Sequence, residues 1–168
     1  MSARSFVRVG VATLVALIAV GSLVAGDADA QRRRPARRDG RIFVLPQPVD
    51  PDDELDGATL DGLVRTAQNF VTHGENGSWR VNFLAFLNRA VSGPQVFAVF
   101  HRLPIAAGAE PASVTALTLG DPQQRVLATS VSLSSAEGYE AGQHVRMQLA
   151  RMVGGREVVY ARTEIELR

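Results

Sequence analysis

The chain has 168 residues, 46% hydrophobic and 21% charged, a mix that suits one globular domain with a sizeable core. All 18 basic residues are Arg and there is no Cys, which excludes Schiff-base and P-loop Lys chemistry, disulfides, thiolate nucleophiles, zinc–thiolate and iron–sulfur sites. The net charge of +1 is unevenly spread: residues 31–41 hold six Arg against one Asp (+5), and residues 42–168 hold 10 Arg against 14 Asp and Glu (−4).

Residues 1–30 read as a secretory signal peptide. Arg4 and Arg8 supply a positive start, residues 9–26 form an apolar run, and Ala28-Asp29-Ala30 is a small-x-small cleavage site. Cleavage after Ala30 leaves a periplasmic or secreted chain that begins at Gln31. The alternative is an uncleaved anchor, because the run is just long enough to span a bilayer. No later segment is apolar enough to cross a membrane.

The next stretch, QRRRPARRDGR, has no hydrophobic periodicity and is expected to be disordered. Its residues Arg32, Arg33, Arg34, Arg37, Arg38 and Arg41 suit electrostatic contact with a phosphate-bearing membrane surface or an acidic protein. The plainer reading is a solvated spacer. No aromatic residue is interleaved with the arginines, so nucleic acid is not an expected partner. Pro46, Pro48 and Pro51 make a stiff linker, preceded at 42–45 by a short edge strand. The chain thus divides into a signal peptide (1–30), a basic, Pro-rich tail (31–51) and one domain (52–168).

An acidic run follows. Asp52, Glu54, Asp56 and Gly57 fall at positions 1, 3, 5 and 6 of a calcium-loop pattern, but position 12 is Leu63 where a bidentate Glu is needed. The simpler reading is acidic residues ahead of a helix. Leu60, Leu63, Val64, Ala67, Phe70 and Val71 form the apolar stripe of that helix, capped by Asp56 or Thr59 and ended by Gly74. A strand over 64–72 is the alternative.

Residues 79–88 and 95–102 form a hairpin that holds the only Trp and most of its neighbouring aromatics. Trp79, Val81, Phe83, Ala85 and Leu87 share one face at period two, while Leu84 and Phe86 break the polar face opposite. Further strands are expected at 114–119, 125–134, 144–153 and 157–167, the last two joined at Gly154-Gly155. Residue 131 sits on the apolar face of a strand whose other face is small and polar (Ala128, Ser130, Ser132). Tyr139 is expected to fold back from its loop as an anchor.

Six strands spaced by turns, without β–α alternation, predict a mainly β fold. The expected form is an antiparallel β-sandwich, immunoglobulin-like in outline, with one short N-terminal helix. A partly open β-barrel is the alternative.

His73, His101 and His144 have no metal-binding spacing, although His101 and His144 could meet at one sheet edge. No nucleophile elbow, phosphate loop or acid–base set is recognisable. No catalytic residue, cofactor or metal ligand is assigned beyond the weak calcium candidates. The expectation is an exported, non-catalytic module of the cell envelope that binds a protein or envelope polymer. A small periplasmic or secreted hydrolase-type enzyme and a metal- or small-molecule-binding exported protein are the alternatives.

Overall fold

A computed structural model of the protein describes residues 38–50, 55–74 and 76–168. The signal segment with Ala28 and Ala30, the tail residues Arg32, Arg33, Arg34 and Arg37, and Asp52 and Glu54 lie outside the described residues.

Among the described residues, eight strands and one α-helix follow one another as β1 (Arg41–Leu45), α1 (Gly57–Thr66), β2 (Phe70–Val71), β3 (Ser78–Phe86), β4 (Gln95–Arg102), β5 (Ser113–Thr118), β6 (Val126–Ser134), β7 (His144–Val153) and β8 (Arg156–Leu167). They do not split into two layers. A single sheet runs β5-β4-β7-β8-β1-β3-β6, with β2 attached to β8, and it curls into a nearly closed barrel. The expected two-sheet sandwich is therefore replaced by the partly open barrel. One sheet suffices because its interior face supplies one continuous apolar core from all the long strands.

Period-two alternation sets that interior. Trp79, Val81, Phe83, Ala85 and Leu87 point inward from β3 and the residue after it, and Val96, Ala98 and Phe100 from β4. Val145, Met147 and Leu149 of β7 and Ile165 and Leu167 of β8 complete the opposite wall. Trp79 is 2% exposed, and its indole Nε1 donates to the Arg168 carbonyl at 3.1 Å. At the Gly154-Gly155 turn both residues have positive φ, 57° and 76°, as a two-residue hairpin with the right twist requires.

The outer face carries a second, smaller cluster. Leu45, Leu84 and Phe86 are buried there beneath Leu60, Leu63 and Val64 of α1. This explains why Leu84 and Phe86 interrupt the polar side of β3: a helix covers them.

Several expectations need correction. The helix ends at Thr66 rather than reaching Gly74. Ala67 is already extended, Gln68 N donates to Val44 O at 2.9 Å, and Phe70 and Val71 pair with Glu166 and Leu167 of β8. The backbone groups that a longer helix needs are taken by the sheet. The strand near 42–45 is no edge, since β1 lies between β3 and β8. Nor is the sheet wholly antiparallel, because β1 and β2 each pair parallel to β8. The bounds of β3, β5, β6 and β8 each shift by one or two residues from those expected.

Candidate binding groove at an open strand edge

A barrel that does not close leaves two terminal strands, β5 and β6. Their free edges follow from the ladder. Leu87 N donates to Arg125 O, and Ser135 N donates to Gly77 O, so the odd-numbered residues of β6 face β3. The even-numbered residues, Val126, Ala128, Ser130 and Ser132, turn their N–H and C=O groups away from the sheet. Ser134 N, the last of this set, finds Glu137 Oε2 at 3.0 Å, where Ser134 and Glu137 form a capping box on a short 3-10 turn. The others meet no backbone partner among the described residues.

This edge is not flat surface. Residues 126–130 of β6 line a groove of about 880 Å3 that is also lined by Pro48, Val49, Asp50 and Leu55. Val126 and Ala128 lie against the apolar outer cluster together with Val49, so this end of the groove is greasy. The other end is polar. Arg80 reaches over from β3, and its Nε and Nη2 donate to Ser130 Oγ at 3.4 and 3.3 Å. Among the described residues Arg80 makes no ion pair with a carboxylate. Asn82, opposite Ser130 in the ladder, is buried with no partner for its Oδ1.

Of the candidate site residues singled out in the sequence, those that are described lie elsewhere. Asp56 caps α1: its Oδ1 accepts from Thr59 N at 2.7 Å, and that bond holds its carboxyl below the ordinary carboxylate range. Leu63, at the closing position of the calcium pattern, packs against the sheet inside the helix. Arg38 pairs with Asp61 and lies over the Phe86 ring, and Arg41 opens β1. Both tail residues thus belong to the folded unit.

His101 and His144 stand on neighbouring strands, where Leu103 N donates to His144 O at 2.9 Å. His73 packs its ring on Trp79, with centroids 4.7 Å apart. No group of three His, Asp or Glu residues is placed to hold a metal among the described residues. Tyr139 is the anchor expected: it is 1% exposed, with its hydroxyl 2.7 Å from Ser113 Oγ, and burial pushes that hydroxyl above its ordinary value.

Two further surface features stand out. On the outer face of β4, β5 and β7, Val114 (55%) and Met152 (62%) are exposed beside Phe97. On β1, β7 and β8, Arg41, Arg146 and Arg162 gather around one carboxylate, Glu164, which accepts from Arg146 at 2.8 Å.

The groove was missed in the sequence because an edge is a property of strand order, not of residue type. The one available signal was the small, uncharged outer face of β6. Edges in soluble proteins are usually blunted with charge or proline, and Val126, Ala128, Ser130 and Ser132 are neither. Comparison with family models, curated proteins and solved structures gives no significant match.

Proposed function

We propose that the protein is an exported binding module of the cell envelope that engages another macromolecule through its open barrel seam. The observation that supports this reading is the β6 groove: a concave wall of mixed polarity in which main-chain groups with no partner among the described residues lie beside an arginine that pairs with no described carboxylate. Such edges bind by offering hydrogen bonds that do not depend on the partner's side chains. The basic, proline-containing segment ahead of the barrel adds electrostatic attraction. The cluster of Arg41, Arg146 and Arg162 favours a second reading, contact of this basic side with a phosphate-bearing surface.

The test is photo-cross-linking in the native envelope. The chain contains no Lys, so amine-directed reagents do not reach its side chains; a photoreactive residue in place of Gln124, on the groove wall, is used instead. Two baits are compared, one from Gln31 and one from Arg38, because Arg38 and Arg41 are parts of the fold. A partner captured by both, and retained at high salt, supports a binding module that works through the barrel. A partner lost with the shorter bait and at high salt moves the function to the arginines. No saturable partner with either bait overturns the reading and directs the search to substrates.

A further inference from the structure

The groove also specifies what it takes, given the binding reading above. We infer that the free edge of β6 accepts an extended peptide strand that carries an acidic side chain opposite Ser130 and apolar side chains opposite Ala128 and toward the seam.

The backbone identifies the ligand class. Val126, Ala128 and Ser130, all of which line the groove, each turn one N–H and one C=O away from β3, at a spacing of two residues. That row, about 13 Å from end to end at strand rise, matches the donor–acceptor repeat of one more β-strand. A sugar or a lipid chain has no such repeat. Within the groove no side chain or loop of the described residues satisfies these groups.

The side chains identify the sequence preference. In a paired strand, the residue opposite Ser130 projects on the outer face with it. There it meets the Arg80 guanidinium, which already reaches across Ser130 and has no carboxylate among the described residues. Two residues along, the side chain opposite Ala128 enters the apolar end beside Val49 and Leu55. The residues between these point inward at the seam, next to Leu127 and Thr129, and are best small or apolar. The motif read from the groove is an acidic residue, an apolar residue and a second apolar residue in succession along the strand.

The test uses labelled synthetic octapeptides rather than an unknown partner. One carries aspartate at the position opposite Ser130 within a valine- and threonine-rich strand, a second asparagine there and a third arginine. Binding to the chain from Gln31 is read by fluorescence anisotropy. The aspartate peptide is expected to bind at least fivefold tighter than the asparagine peptide, and Arg80→Gln is expected to abolish that difference while sparing the asparagine peptide.

Ala128→Pro tests the backbone claim. Its N–H faces outward, so proline removes a donor from the groove without removing one from the β3–β6 ladder. It should abolish binding of all three peptides. Ala116→Pro, on the other open edge, should leave binding unchanged, and thermal melts report whether each variant is folded. If a folded Ala128→Pro variant binds the aspartate peptide as tightly as the parent, or if no peptide binds the parent, the inference falls. It falls equally if Ala116→Pro is the variant that abolishes binding. A cross-linked envelope partner that survives Ala128→Pro overturns the strand-addition site alone and leaves the binding-module reading standing.

Discussion

Leu84 measures how the helix is held. It is fully buried, but on the outside of the barrel, where its cover is α1 through Leu60, Leu63 and Val64. Leu84→Ala removes three carbons, about 2.4 kcal/mol of transfer energy at ~0.8 kcal/mol per methylene. A cavity adds to this in proportion to the volume that fails to close. No residue of α1 is fully buried, so the helix can settle inward and keep that cavity small. The expected cost is about 2.5–3 kcal/mol, near the low end for buried leucines. Leu149 is also fully buried, but inside the barrel, where hydrogen-bonded strands hold the walls. Leu149→Ala should cost about 4 kcal/mol, because the sheet cannot follow the lost volume. Urea unfolding followed by the fluorescence of Trp79, the sole tryptophan, measures both. Amide exchange in α1 separates them further: Leu84→Ala should speed it well before global unfolding, and Leu149→Ala should not. A cost below about 1 kcal/mol for Leu84→Ala, far under the transfer energy alone, would refute the docking of α1 on this face. Equal costs for the two variants would show that the helix is as rigid a wall as the sheet.

Three other outcomes are expected. Gly138→Ala should destabilise by about 1–2 kcal/mol, since Gly138 has φ 80°. Its added methyl would also meet Arg102 Nη2 at 2.8 Å and disturb that atom's bond to Glu137 O, so the urea midpoint should fall. Tyr139 ties stability to alkaline pH. Its hydroxyl is raised by burial, so above its ordinary value of about 10 the unfolded chain ionises first and stability falls as pH rises. Urea midpoints between pH 9 and 11 should decline less steeply in Tyr139→Phe than in the parent. Val114→Lys should change stability by no more than about 0.5 kcal/mol, because the side chain is 55% exposed on the outer face; a larger loss would show that this face is covered.

Local pattern carried the long strands and the fold class, because β3, β4, β7 and β8 bury one face over most of their length and their alternation is a direct image of the barrel wall. It also carried the helix start, where Asp56 has the residue type and spacing of a cap. It failed where distant partners decide. Phe70 and Val71 fit the helical stripe equally well, and only β8, nearly a hundred residues away, draws them into a sheet. Residues 42–45 read as a strand, but as an edge one, and only the placing of β8 and β3 on either side puts Arg41–Leu45 inside the sheet. The groove was beyond reach for the same reason. Ser130 and Ala128 are ordinary strand residues until the order of strands leaves them at the end of the row.

That order has a consequence for how the chain acquires its shape. β8 follows every other strand in sequence, yet it sits between β7 and β1. A nascent chain stopped before Arg156 holds β5-β4-β7 and β1-β3-β6 as two pieces with nothing to join them. The barrel therefore cannot be sealed before β8 has left the ribosome. Its decisive pairings span much of the sequence, Arg41 with Arg162 being the longest of them, and contacts of such separation make folding slow. The polypeptide thus stays open along several strand edges until β8 is made, a state exposed to aggregation.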